Sequence, residues 1–399
     1  MNFPRICEIL TVALILISGT VCTVRYRFLQ FHAFRNLHRA FGCGKGSFPA
    51  LATSLGGTIG AGNIIGVAGA VALGGEGAVI WLVIGAFFGM ILKYHEVRVY
   101  LNHRKRSTDG DFRAGAVYCT DNRRLGVFFG VFCIASAFLM GNLTQSTAIY
   151  EAVFPHGGTA NRAVLSAALF AVLMITLSGG FGTISKISSA LVPLMGVLYL
   201  GTALYVIFIC RSEIIPVTVR IFGGAFTRCG VRSLLPAAYG MSRGLLSNEG
   251  GLGSSSTALA STPDADENTP YLGIAEVFLS TVVVGLVTAY SLLCSGVPLD
   301  CPHGELVKNA FGSVTGGFGE CVVRISTVLF AYTSFSGWYF YGMRCAEYLN
   351  PRCVTLYRFV FCAFAFGGLF VPIELAMELS AVSAFFMCAA NILILSKEN

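Results

Sequence analysis

Charge is what this sequence has least of. Aspartate, glutamate, lysine and arginine make up only 12% of its 399 residues, against roughly a quarter in an ordinary soluble domain, which excludes water as its only solvent. No Gly-x-x-x-x-Gly-Lys-Ser/Thr phosphate loop occurs, so a nucleotide-driven pump is excluded. No connection between apolar stretches is long enough for a soluble catalytic domain, and any function must be built inside a helical bundle. Paired carboxylates, a His/Cys cluster or a Ser/Lys dyad at one depth are likewise missing, which argues against an enzyme and gives no catalytic residue. Cys-x-x-Cys pairs are absent too. The 14 cysteines are scattered through apolar stretches and read as small buried hydrophobes rather than ligands.

What is present is apolar sequence. Hydrophobic residues make up 55% of the chain, in recurrent stretches of 18 or more that can each cross a hydrocarbon layer of about 30 Å. The pattern predicts an all-α polytopic membrane protein with eleven spans. They run over 6–24, 48–73, 77–101, 125–153, 162–179, 188–210, 232–259, 271–297, 317–343, 354–372 and 377–396. Glu305 to Val314 reads as a short amphipathic surface helix. The first run is followed by basic residues and a further span instead of a small-residue cleavage site, so it reads as a retained helix rather than a signal peptide.

The net charge of +7 sits in a few connections without interleaved aromatics, which marks topology rather than nucleic-acid binding. Arg25, Arg27, Arg35, Arg39 and Lys45 follow span one. Arg104, Lys105, Arg106, Arg113, Arg123 and Arg124 follow span three. Both sets belong on the cytoplasmic side, as do Arg344, Arg352 and Arg358, whereas Arg211, Arg220, Arg228 and Arg232 disagree. The balance places the N-terminus outside and the C-terminus inside.

Two spans contain interruptions. Span two carries Gly56-Gly57-Thr58-Ile59-Gly60-Ala61-Gly62-Asn63, and each glycine costs a helix about 1 kcal/mol relative to alanine. Span seven, five spans later, carries Ser247-Asn248-Glu249-Gly250-Gly251-Leu252-Gly253-Ser254. An opened backbone in lipid is tolerated only beside protein or a polar cavity. Two interrupted helices in matching positions of two five-span halves point to an inverted-repeat secondary transporter with a midplane site. The competing reading is close helix packing on glycine pairs, with no ligand. Glu249 at membrane depth reads as functional, or as a structural partner of Arg243. Asn63 could cap the second half-helix of span two or touch a ligand. Lys93, His95 and Glu96 read as interfacial structure at the cytoplasmic end of span three.

Gly57-Thr58-Ile59-Gly60-Ala61-Gly62-Asn63-Ile64-Ile65-Gly66-Val67-Ala68, then Ala72-Leu73-Gly74-Gly75, is similar to the signature of the alanine/glycine:cation symporter family. So is the run Ser242-Arg243-Gly244-Leu245-Leu246-Ser247-Asn248-Glu249-Gly250-Gly251-Leu252-Gly253-Ser254. Lys93 to Val97, Gly141 to Gln145, Lys186 to Pro193 and Gly337 to Gly342 also match, so the resemblance spans nearly the whole chain. It implies one extra helix followed by ten of the leucine-transporter type, five plus five inverted. The divisions are 1–46, 47–230 and 231–399. It also implies uptake of alanine or glycine, in some members the D-enantiomer, driven by sodium as co-transported cargo and with no cofactor.

Carried over by residue, the resemblance puts the substrate carboxylate at the N–H groups of Ala61, Gly62 and Asn63. It puts the ammonium at carbonyls of Thr58 and of the Leu246–Ser247 break, Gln145 beside the substrate, and Trp338 over a small side-chain pocket. The sodium site it implies is made of the Thr333 and Ser334 hydroxyls with carbonyls of Gly56, Ile59 and Phe330, since sodium takes hard oxygen ligands. Two departures touch the pocket: Leu246 stands where many members have phenylalanine, and Tyr339 where serine is common. Proton coupling through Glu249, and a membrane sensor that binds an amino acid without moving it, remain alternatives. Alanine, glycine and serine are not distinguished, and oligomeric state is left open.

Overall fold

The fold, taken from a computed structural model, is described for residues 3–32, 47–107, 112–155, 157–226 and 235–398. Arg35, Arg39, Lys45, Arg228 and Arg232 of the topology argument lie outside these residues. The chain is almost entirely helical, with one two-residue hairpin pairing β1 (Lys105–Arg106) with β2 (Phe112–Arg113).

Each of the eleven expected segments coincides with a helix or an interrupted helix. The first half contains α1 (Phe3–Arg25), the broken pair α2 (Ser47–Thr58) and α3 (Gly62–Gly74), and α4 (Ala78–His103). Then come α5 (Arg123–Phe138) and α6 (Thr144–Val153), joined by a π-helical turn over Leu139–Leu143, followed by α7 (Thr159–Ser178) and α8 (Gly180–Ile209). An unexpected amphipathic helix, α9 (Ile214–Phe226), occupies the connection that carries Arg220, which pairs there with Glu76 at 3.0 Å.

The second half contains the broken pair α10 (Leu235–Asn248) and α11 (Ser255–Ser261), then α12 (Thr269–Val277) and α13 (Val284–Cys294), joined by a π-helical turn over Phe278–Val283. It closes with α14 (His303–Thr315), α15 (Gly317–Leu349), α16 (Val354–Gly368) and α17 (Ile373–Leu395). Among the described residues seven helices are long and apolar enough to cross a membrane, and α2 with α3, bent by 46°, makes an eighth if taken as one span. The expected spans 232–259, 317–343 and 354–372 are helical without meeting that measure.

The layers follow from side-chain polarity. Helices α7 and α8 present Ile175, Leu194 and Val197 outward, which suits hydrocarbon rather than water. Polar residues turn inward: Ser54, Asn142, Ser146, Ser255 and Thr333 are all buried. Both broken pairs sit centrally, with α10 packed on α3 and α4, and α2 packed on α8 and α15. The crossing of α2 and α15 needs glycine on both sides. A Cβ on Gly337 would stand 2.4 Å from the Gly57 Cα, and one on Gly57 would stand 2.0 Å from the Tyr341 hydroxyl.

Candidate functional site

The first break is closed by side chains rather than by helix bonds. Gly60 N–H donates to Asn63 Oδ1 at 3.1 Å, and Ala61 N–H donates to Gln145 Oε1 at 3.0 Å. Gln145 stands just past the π-helical turn of Leu139–Leu143, and such turns are frequent at functional sites. The second break runs from Glu249 to Ser254. Glu249 itself has a φ of 55°, beside Gly251 at 88° and Gly253 at 76°. A left-handed glutamate is uncommon enough to need support. Here Ser254 donates to Glu249 Oε2, and Asn248 Oδ1 accepts the Gly250 N–H at 2.8 Å.

One side chain ties the two breaks together. Asn63 Nδ2 donates to Ser247 Oγ at 2.8 Å and to the Ser280 carbonyl at 2.9 Å. The half-helix itself starts at Gly62 with Ala61 as its N-cap and no side-chain cap bond, so Asn63 braces the break instead, through Oδ1 on the Gly60 N–H and Nδ2 across to the second break.

Between the breaks lies a water-accessible cavity of about 90 Å³. A single water needs at least about 10–15 Å³ measured this way, so the space suits a ligand of several heavy atoms. Thr58, Gly62, Asn63 and Gln145 line one side of it, and Leu246, Ser247, Ser334 and Trp338 line another. Ala61 is buried beside Gln145 and does not line it. Of the three N–H groups assigned to a carboxylate, that of Ala61 is held by Gln145 and that of Asn63 donates to the Gly60 carbonyl at 3.0 Å. That leaves Gly62, which is exposed and has nothing within 4 Å of where a Cβ would stand.

Trp338 lies mid-helix in α15 and is 2% exposed, inside the bundle rather than at an interfacial belt. Gly141 makes room for it, since a Cβ there would come within 2.1 Å of the Trp338 Cβ.

The hydroxyl pair divides. Ser334 Oγ donates to the Gly57 carbonyl at 3.1 Å, reaching the break through a carbonyl outside the expected set. Thr333 Oγ1 donates within its own helix to the Phe330 carbonyl at 3.1 Å and the Leu329 carbonyl at 3.2 Å, as hydroxyls in membrane helices commonly do. Its Cβ lies 3.4 Å from where a Gly56 Cβ would stand, so Gly56, Phe330 and Thr333 are brought together. Ile59 is buried, with its N–H on the Leu55 carbonyl at 2.7 Å, and shares no hydrogen bond with the pair.

One expectation is corrected. Lys93, His95 and Glu96 are not surface residues: all three are buried in the bundle, Lys93 and Glu96 completely. Lys93 Nζ lies 3.5 Å from Glu276 Oε1 and donates to Ser255. Ser255 donates to Glu276 Oε1 at 2.8 Å, and Ser54 of α2 donates to Oε2 of the same carboxylate. Glu96 accepts from the Gly253 N–H at 3.1 Å, Ser256 at 2.5 Å and Asn391 at 2.8 Å. His95 Nδ1 meets the Tyr26 hydroxyl at 2.8 Å. Local hydropathy placed these residues at a helix end, whereas their partners come from α11, α12, α17, the second break and the turn after α1. Glu249, for its part, forms no ion pair with Arg243 within the 4.0 Å limit, so the structural pairing weighed for it is not found.

Comparison with known proteins gives the family. Residues 4–397 match the sodium:alanine symporter family. The chain belongs to that family. It is 31% identical to the sodium/alanine symporter AgcS of Methanococcus maripaludis, over 95% of this chain and 89% of that protein. It is 33% identical to an uncharacterized transporter of Haemophilus influenzae, over 96% of this chain and 89% of that one. It is 28% identical to the probable sodium/glutamine symporter GlnT of Bacillus subtilis, over 96% of this chain and 84% of that protein. This member of the sodium:alanine symporter family is therefore a multi-pass membrane protein of a sodium-coupled amino-acid transporter class.

Sequence inspection missed several residues of this symporter-family cavity. Met140, Thr144, Met377 and Ser380 all line it. Met140 is delivered by the π-helical turn, which no local motif announces, and Met377 and Ser380 come from the last helix, whose apolar pattern gives no hint of a polar neighbour.

Proposed function

We infer that this protein imports a small neutral amino acid, alanine or glycine, together with sodium, by alternating access to the cavity between its two broken helices. The observation that carries this is the Asn63 amide, which bonds across both breaks at the cavity wall. In this reading α1 precedes two inverted five-helix repeats over 47–230 and 231–399, eleven spans in all. The fold is of the leucine-transporter type, set in a prokaryotic cytoplasmic membrane with the N-terminus outside. Gly62 receives the carboxylate, with Asn63 and Gln145 fixing the break around it. The Thr58 carbonyl and the Leu246–Ser247 turn face the ammonium. Sodium lies where Ser334 and Thr333 approach α2, with carbonyls of Gly56, Ile59 and Phe330. The name of the Methanococcus relative favours alanine as cargo, whereas that of the Bacillus relative speaks for glutamine, so the pocket walls decide.

Labelled alanine uptake into proteoliposomes is expected to fall about tenfold or more when choline replaces sodium at constant pH, the scale of coupling between two ligands of one protein. Uptake that persists and follows a pH gradient would instead favour proton coupling. Binding without accumulation would favour a sensor.

Leu246→Phe probes the pocket. A larger side chain between Trp338 and the break narrows the space, and a methylene in such a pocket is worth about 1–3 kcal/mol of discrimination. The glycine-to-alanine ratio of kcat/KM is expected to rise about tenfold, with expression little changed. A ratio equal to that of the unaltered protein would remove Leu246 from the pocket wall.

A further inference from the structure

Arg243 has no use in the account so far. It lies on α10, and it lines the same cavity as Gly62 and Glu249. Among the described residues it makes no hydrogen bond, and no carboxylate comes within 4.0 Å of it. Glu8 of α1 acts on it only through space, and Glu249, the carboxylate on its own cavity wall, is engaged with Ser254. Its Cδ lies 3.7 Å from where a Cβ would stand on Gly66, an ordinary contact distance that sets the arginine beside α3.

A guanidinium in the interior of a membrane protein without a paired anion is costly. Its cost is offset when an anion enters, and the planar fork matches a carboxylate with two parallel N–H donors. The break itself is short of donors for such an anion. The N–H of Ala61 serves Gln145 and that of Asn63 serves Gly60, which leaves Gly62.

We propose that Arg243 is a second carboxylate-binding group of the cavity, beside the Gly62 N–H. Its guanidinium pairs with the α-carboxylate of the transported amino acid and makes that carboxylate a requirement for entry. This rests on the symport reading above and adds to it the group that selects amino acids over amines and amides. The cation then stands on α10, at the wall of the same cavity that Gly62 lines.

The test is sodium-driven uptake of labelled alanine into proteoliposomes, with unlabelled glycine, alaninamide and ethylamine as competitors. In the unaltered protein glycine competes and the two carboxylate-free amines do not. Arg243→Gln is expected to raise the KM for alanine about tenfold or more, as loss of a charge-assisted pair does, while Vmax changes little. The same variant is expected to bring alaninamide and alanine to similar inhibition, a change that a merely structural arginine would not produce. Arg243→Lys keeps the charge without the fork and is expected to raise KM by a smaller factor, with amides still rejected. Should Arg243→Gln fail to fold, Arg243→Lys carries the test alone, and a KM equal to that of the unaltered protein overturns the proposal. Arg243→Gln with unchanged KM and unchanged rejection of alaninamide overturns it as well, while the parent protein's uptake leaves the symport reading intact. Vesicles of the parent protein that accumulate no alanine overturn both.

Discussion

Lys93→Met is expected to destabilise the protein by about 3–5 kcal/mol, the cost of removing one partner from a buried ion pair. The size follows from surroundings. Lys93 and Glu276 are both 0% exposed, and the nearby carboxylate of Glu96 is also fully buried. The lysine is the sole cation described in this group, and the hydroxyls of Ser54 and Ser255 that solvate Glu276 cannot replace its charge. Methionine fills much the same volume, so the loss is electrostatic rather than a cavity. Heating the detergent-solubilised protein at a fixed scan rate should show a drop of several degrees in apparent Tm. The double variant Lys93→Met, Glu276→Met should recover much of it, because replacing both members of a buried pair by apolar groups is often neutral. Equal melting of the single variant and the parent would mean that the pair is already neutral in the folded state.

Removing both hydroxyls of α15, as Thr333→Val with Ser334→Ala, is expected to raise the half-saturating sodium concentration for uptake about tenfold or more. Two lost oxygen ligands leave a hard cation with carbonyls alone, and a tenfold change corresponds to about 1.4 kcal/mol. Valine keeps the shape of threonine, and Thr333 is bonded within its own helix, so folding should survive the change. Uptake at saturating sodium is expected to be largely retained. If sodium dependence in the double variant matches that of the parent, the cation does not lie at this junction of α2 and α15.

The part of this architecture legible in sequence was the part written in local pattern. Apolar runs located most of the long helices, and the glycines of 56–62 and 250–253 located both breaks, because main-chain conformation there depends on the residues themselves. What escaped was decided at long range. Lys93 and Glu96 look like the polar end of a span until α4 is seen to run on to His103 and to meet Ser255 and Ser256 of a half-helix more than 150 residues later. The helix α8 begins at Gly180 rather than 188. Lys186 cut the hydropathy window short there, yet a long lysine stem can lie along a helix while its charge reaches the interface. Met140 and Ser380 reach the cavity only through a π-helical turn and the placement of the last helix. For the proposed sodium site the resemblance named both hydroxyls, but the carbonyl that Ser334 meets is that of Gly57, a choice made by helix crossing rather than by residue type.

That crossing sets a limit on motion. At Gly57 and Gly337 two main chains touch with no side chain between them, so α2 cannot sink closer to α15 and has no rotamer to rearrange as it tilts. In the alternating access proposed above, a rocking displacement of α2 would swing about this point as a fulcrum, large at its ends and small at the centre. The Ser334 hydroxyl bonds to the Gly57 carbonyl at that same centre, where the geometry around the proposed ion would change least.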